Sequence, residues 1–414
     1  MLERYQQNVY ETENERPFHI AHIDHTELDI ELVDSKTGKN FGRPWMTLLV
    51  DAFSRKVLAV YLTFDPPSYR SNLMVMRECV RRYGRLPQIL VVDGGKDFSS
   101  IYFESFLAMF GITKKTRPPA QARFGSVVER LFGTTNTMFI NNLQGNTQMT
   151  KNVRQMTKSV DPKNHAIWTL GTLYENLCEF LYEVYDQKEH STLNQSPRET
   201  FAQGMLKSGN RTHMIIPYNE DFRLMTLPST KKGNAMIDYS QGVKINRIYY
   251  WCDEFRNPEN NRKRVPVKYD PWDMGIAYVY VDDKWHKCIS EHYSTLQGRS
   301  EKEIQIIAEE IKKRKKDSAK KTSVSGFQIV GFLQSTDVSE KALKQRATDR
   351  ESKQIHARIN YGIESDFSGD LSAETEFVEE NEISTDDTVI QFPNETLDEP
   401  TKPIEKKYRT YERF

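Results

Sequence analysis

The chain has 414 residues, 37% of them hydrophobic, which allows two or three domains with real cores and excludes a chain disordered throughout. Lys plus Arg and Asp plus Glu number 58 each, so net charge says nothing about a polyanionic partner and only the distribution is informative. Its four cysteines, Cys79, Cys178, Cys252 and Cys288, lie far apart with no C-x-x-C pair, which argues against a disulfide framework or a structural zinc site and for a reducing, cytoplasmic setting.

In chain order, HIAHIDHTELDIEL reads as a first strand. WMTLLVDAF and KVLAVYLTF read as a second and third, joined as a hairpin around DAFSRK. After the prolines of DPPSY, Leu73, Met76, Val80 and Tyr83 fall at helical spacing. Ile89 to Val92 is a short core strand that stops at Asp93-Gly94-Gly95. A second helix follows, with Ser99 or Asp97 as N-cap and Phe103, Phe106, Leu107 and Phe110 on its apolar face. GITKKTRPP is a strand stopped by proline. Val128, Leu131, Phe132, Thr135 and Phe139 then mark a third helix, with Glu129 at the margin of its buried stripe. Trp168 to Tyr185 is amphipathic through Leu170, Leu173, Leu177, Leu181 and Val184. Two strand-rich stretches beyond it, from MTLPSTKK to CIS, carry frequent turn signals and predict a small all-β barrel. Arg299 to Lys316 is helical. Periodicity weakens from about Lys320, and Glu364 to Glu399, rich in carboxylates and without Lys or Arg, reads as a disordered tail.

Three carboxylates stand out by placement. Asp24 lies within the first strand, Asp93 at the exit of the fourth, and Glu129 on the helix after the fifth, with 35 residues between the last two. A carboxylate inside a core-like strand calls for a partner or a metal, unless the strand lies at an edge with Asp24 in solvent. Asp93 alone is either a turn-former before glycine or a ligand. If the three converge, an all-oxygen site without Cys or His suits Mg²⁺ or Mn²⁺. Two such ions about 3.5–4 Å apart would activate an attacking oxygen and stabilise the leaving oxygen of an in-line phosphoryl displacement. Gly94 and Gly95 would then leave room for a phosphate.

These elements, with HIDHTELDI, LLVDAFSRKVLAVYLTF, LVVDGGKDF, RPPAQARFGSVVERLFGT and HSTLNQSPRETF, resemble the D,D(35)E transposases and integrases of the retroviral-integrase superfamily. DPPSY, the barrel segments and the acidic tail look more narrowly like the TnsB-type transposases of heteromeric transposons, related to phage Mu transposase. The resemblance implies an α/β RNase H-like catalytic core followed by the barrel and a helical and disordered C-terminal region. It divides the chain into a linker (1–15), the core (16–150), a helical extension (151–215), the barrel (216–295), a helical segment (296–360) and a tail (361–414). It assigns Asp24, Asp93 and Glu129 as catalytic ligands of two Mg²⁺ or Mn²⁺ ions. It further implies cleavage at transposon 3′ ends, joining of the freed 3′-OH to target DNA, a synaptic tetramer on paired ends, an AAA+ ATPase partner bound through the tail, and a bacterial, nucleoid-associated location. The family normally carries N-terminal helix-turn-helix domains, whereas 23 residues precede Asp24; end recognition is therefore expected from another chain, from a longer protein, or from elsewhere. Two competing readings are a different integrase or nuclease of the superfamily that needs no ATPase, and a non-catalytic DNA-binding assembly subunit.

Among the supporting residues, Lys114, Lys115, Arg117 and Arg130 lie where a DNA backbone would pass, and Arg262, Lys263 and Arg264 form a second basic group in a barrel loop. Lys312 to Lys316 is a basic helix end. His22 and His25 flank Asp24, but strand alternation sends His25 to the opposite face. Asp51 is a hairpin turn-former with Ser54 or a fourth carboxylate. Lys406, Lys407, Tyr408, Arg409, Tyr411 and Phe414 give the tail a basic, aromatic end suited to docking a protein partner. No apolar run approaches the roughly 18 residues of a membrane span, and the N-terminus is too polar for a signal peptide.

Overall fold

The computed structural model describes residues 16–117, 126–148, 161–209, 211–316, 324–335 and 340–362. The tail and its six docking candidates lie outside the described residues. β1 (Ile20–Glu27) is followed by a small ribbon, β2 (Leu32–Val33) and β3 (Asn40–Gly42), then by β4 (Trp45–Asp51) and β5 (Val57–Thr63). The expected first strand is therefore shorter than its sequence run. One residue past its end, the Leu28 N–H still bonds the Pro44 carbonyl at 2.9 Å, in line with the β1–β4 register.

Helix α1 (Tyr69–Tyr83) leads to β6 (Ile89–Val92), α2 (Ile101–Met109), β7 (Thr113–Thr116) and α3 (Ser126–Met138). The strands order as β5-β4-β1-β6-β7, with β5, β4 and β1 antiparallel and β1, β6 and β7 parallel. This is the RNase H-like arrangement. Every residue of β5 is buried, so both faces of the sheet are covered there, and α1 supplies part of that cover. β1 behaves differently: Ile20, Ala21 and Ile23 are buried, and burial lapses from Asp24 onward, where the strand leaves the core.

Helix α4 (Leu170–Glu179) runs straight into a π-helical turn, Phe180–Tyr185, before α5 (Pro197–Ser208). That turn corrects one expectation. Val184 was read on the apolar face at ordinary helical spacing, but it is 52% exposed, and Tyr182 and Tyr185 are buried instead. The wider turn shifts the buried face, as an inserted residue would. Tyr182 uses its position to receive the Arg82 guanidinium 3.5 Å from its ring centre.

After α6 (Glu220–Met225) come β8 (Asn234–Asp238), β9 (Gly242–Ile245), β10 (Ile248–Trp251), β11 (Arg264–Asp270), β12 (Asp273–Val281) and β13 (Lys284–Ser290). These six close into a barrel in the order β10-β13-β12-β11-β8-β9. From Ile276 onward β12 alternates: Ala277, Val279 and Val281 are buried inside, while Ile276, Tyr278 and Tyr280 are only partly so. The chain ends its described part in α7 (Tyr293–Leu296), α8 (Glu301–Lys316), α9 (Gly326–Gln334) and α10 (Glu340–Tyr361).

Helix α10 returns to the first sheet and packs on α1, α4 and β5. Its buried residues include Ala342, Gln345, Thr348 and Ser352, which explains its weak apolar periodicity in sequence. His356 fixes it in place. Its Nε2 meets the Tyr61 hydroxyl at 2.7 Å, and its ring lies 4.7 Å from that of Trp272 at the barrel edge. The barrel is further tied to the sheet domain through Glu301, which accepts hydrogen bonds from Tyr69 and Tyr269.

Candidate active site at the ends of β1 and β6

The parallel register of β1 on β6 pairs His22 with Val91, an offset of 69. Carried two residues further, the same offset sets Asp24 level with Asp93. The register of β6 on β7 pairs Val92 with Thr116, and the next residue, Arg117, donates its N–H to the Val92 carbonyl at 2.9 Å. Asp24, Asp93 and Arg117 therefore stand at one level on three adjacent strands, whose spacing is about 4.8 Å.

The side chains complete the arrangement. The Arg117 guanidinium donates to Asp24 Oδ2 at 2.8 Å and to Glu129 Oε1 at 3.2 Å. Helix α3 presents Glu129 by burying Val128 beside it, which leaves the Glu129 carboxylate outside, 53% exposed. Asp93 Oδ1 accepts the N–H of Gly95 at 2.8 Å, so it serves the turn while remaining only partly buried. Gly95 is needed here for close approach: a Cβ would meet Asp97 Oδ1 at 2.5 Å and Asp93 Oδ1 at 2.8 Å. Among the described residues, no three His, Cys, Asp or Glu groups are gathered tightly enough to be read as a metal centre. The donor chemistry nonetheless fits a hard cation. Two carboxylates from different elements already converge on one positive group, the guanidinium, and the third stands level with Asp24.

The loop after β6 is held from the opposite face of β1. His25 donates its backbone N–H to Asp24 Oδ1 at 2.8 Å. Its ring reaches Thr47 Oγ1 at 2.8 Å and Asp97 Oδ2 at 3.0 Å and stacks on Phe98. Asp97 is thus not the helix cap that the sequence led us to expect; Ser100 occupies the N-cap position of α2, with no side-chain cap bond. Burial pushes the Asp97 carboxyl up, but the contact with His25 outweighs it and leaves the group below its ordinary value. His22, one residue pair below Asp24 on the same face, is pushed down to about 3 by burial and then by the charges of Arg117 and Arg55.

Asp51 is the turn-former rather than a fourth site carboxylate: it accepts from the Ser54 N–H at 2.8 Å, the Ser54 hydroxyl at 2.7 Å and the Phe18 N–H at 2.9 Å. Of the basic residues expected near DNA, Lys114 is drawn back onto the Phe98 carbonyl and Glu104. Arg130 is exposed on α3 beside Glu129. Arg262 and Arg264 are exposed in the barrel, and Lys263 bonds Asn260 Oδ1 at 3.1 Å. The structure thus brings Asp24, Glu129 and Arg117 together, sets Asp93 level with Asp24 by strand register alone, and leaves the barrel group apart. The role of the His25–Asp97 pair was not visible in sequence, because the two are 72 residues apart and only the fold joins them.

A mixed sheet in the order described, followed by a closed barrel, is an RNase H-like fold with a barrel domain. Residues 22–145 match the family model of the TnsB C-terminal domain, and residues 232–289 match that of the Mu transposase C-terminal domain. The transposase of transposon Tn552 from Staphylococcus aureus is 26% identical over 301 residues, 68% of this chain and 56% of that protein. The Tn7 transposition protein TnsB of Escherichia coli is 22% identical over 375 residues, 80% of this chain and 52% of that protein. The chain therefore spans about half the length of the curated relatives it matches. Among solved structures, the HTLV-2 integrase catalytic core in complex with magnesium aligns over 45% of this chain and 97% of its own, at 16% identity and a TM-score of 0.29. A simian T-cell lymphotropic virus intasome chain aligns over 69% and 80%, at 14% identity and a TM-score of 0.32.

Proposed function

We propose that this chain is the catalytic part of a DNA transposase that cleaves transposon 3′ ends and joins the freed 3′-OH to target DNA. The observation that carries this reading is the convergence of Asp24 and Glu129 on one cationic group, with Asp93 level with Asp24. Asp24, Asp93 and Glu129 would hold Mg²⁺ or Mn²⁺, which when bound supplies Lewis-acid activation of the attacking oxygen and charge stabilisation at the leaving oxygen. The chain's own residues do the rest. Asp24 is oriented by the His25 N–H, and Asp93 by the Gly95 N–H. The His25–Asp97 contact fixes the loop that carries Asp93. Arg117 neutralises two carboxylates that would otherwise repel each other and the DNA.

In each step an oxygen, first of water and then of the 3′-OH, forms a new bond to phosphorus as the opposite P–O bond breaks. Lys115, Arg117 and Arg130 are the proposed backbone contacts near the site, and the barrel group from Arg262 to Arg264 is a further one. Assembly as a synaptic tetramer and docking of an AAA+ ATPase on the tail belong to the same proposal. The test is strand transfer from a pre-cleaved transposon-end duplex into plasmid DNA with Mg²⁺ or Mn²⁺. Joining by the wild type should be lost in Asp24→Asn, Asp93→Asn and Glu129→Gln, with duplex binding retained. Undiminished joining by any one of the three would overturn the assignment.

A further inference from the structure

Beside α3 lies a cavity of 250 Å³ whose lining includes Arg55, Arg130, Thr134, Tyr185, His190 and Thr192. At about 30 Å³ per water, it has room for a tetrahedral anion with several waters. We propose that it seats one backbone phosphate of the DNA strand entering the active site, an inference that rests on the function proposed above. The lining chemistry is that of an anion site: two guanidinium groups, an imidazole and two threonines, with no Asp or Glu among the described residues that line it.

Three features show a built site rather than a chance gap. The Arg55 backbone is held at φ +64° by its N–H bond to the Asp51 carbonyl, and the Tyr185 hydroxyl donates to the Arg55 carbonyl at 3.2 Å. The tight loop from His190 to Gln195 closes on itself, and the Thr192 N–H donates to His190 Nδ1 at 3.3 Å. Nδ1 being an acceptor, the imidazole carries its proton on Nε2 and can only donate from there. A phosphodiester needs donors alone, and the two guanidinium groups, His190 Nε2 and the Thr192 hydroxyl can supply them, while the Thr134 and Tyr185 hydroxyls donate to the Arg130 and Arg55 carbonyls.

Arg130 follows Glu129 directly in α3, so a strand whose scissile phosphate lies at Glu129 would pass this cavity with a neighbouring phosphate.

The proposal is tested with the full chain in EDTA, by anisotropy of a labelled end duplex between low and moderate salt, for wild type, Arg55→Gln, Arg130→Gln and Thr192→Ala. Loss of one phosphate contact should lower the slope of log Kd against log salt by about 1 in the arginine variants, with binding about tenfold weaker at low salt and equally so for an unrelated duplex. Matching thermal unfolding would confirm that the variants are folded. Wild-type binding with an unchanged slope in both arginine variants would overturn the cavity assignment and leave the transposase reading intact. Failure of the wild type to bind any duplex would instead count against that reading. A parallel titration with inorganic phosphate and with a mononucleotide, followed by the His190 imidazole resonance, separates the sources. Saturation by either below millimolar concentration would make the cavity a free-phosphate site and overturn the DNA assignment.

Discussion

Asp93 and Asp270 have nearly the same local chemistry and different fates. Each ends or directly follows a strand, and each accepts the N–H of the residue two positions on, Gly95 at 2.8 Å and Trp272 at 2.9 Å. Asp93 directly follows β6 at the end of a mixed sheet, level with Asp24, whose carboxylate takes the Arg117 guanidinium. Asp270 lies where the closed barrel meets the sheet domain, and burial pushes it up to about 6, against its turn hydrogen bond and the nearby charge of Arg77. The turn chemistry is shared. Strand order decides whether another acidic residue arrives at the same level, as Asp24 does for Asp93.

The largest test of that contrast is chemical. Asp93→Asn should lower strand transfer by at least about a thousandfold, and Asp270→Asn should leave it within about threefold, since only the first is placed to hold a cation. Equal losses in the two variants would erase the distinction. Next in size is the barrel core. Tyr250 is fully buried, and its hydroxyl donates to the Met274 carbonyl at 2.8 Å. Tyr250→Ala should destabilise the barrel by about 3–5 kcal/mol in urea unfolding, while the Asp24 region keeps its hydrogen-exchange protection.

A third test concerns the helix that straps the two regions together. His356 is pushed down to about 3 by burial and then by Arg77 and Arg70, so the folded state refuses a proton that the unfolded chain accepts near 6.5. Its stabilising contribution is complete above pH 6.5 and lost as pH falls toward 3, roughly 3 kcal/mol by pH 4. His356→Gln, which keeps a partner for the Tyr61 hydroxyl, should flatten that part of the stability profile. The smallest expected effect belongs to Arg117. Replacing it with Gln removes a cation that competes for Asp24 and Glu129, and should tighten Mn²⁺ binding by about tenfold, roughly 1.4 kcal/mol, in calorimetry without DNA.

The fold was legible in sequence where apolar periodicity was strong: apart from the small β2–β3 ribbon, the order of strands and helices from β1 to α3 follows from runs such as Ile89 to Val92 and from the face of Val128 and Leu131. Asp24 and Asp93 drew attention because they break and end such runs, and Glu129 because of its place on the helix after the fifth sheet strand. Three things were not. The π turn has no local signal, and it moved Val184 into solvent. The burial of α10 relies on Gln345, Thr348 and Ser352, whose polarity hides a packed face. The ties of Arg117 to Asp24 and Glu129 were hidden because those partners come from β1 and α3, 93 and 12 residues away; only the register reveals that it stands between them.

The central claim is that Asp24, Asp93 and Glu129 form one cation site. Its most direct test is Mn²⁺ titration followed by electron paramagnetic resonance, on wild type and on Asp24→Asn, Asp93→Asn and Glu129→Gln. The account predicts saturable binding in the wild type that each substitution weakens by tenfold or more. Equal Mn²⁺ affinity in all four proteins would contradict it.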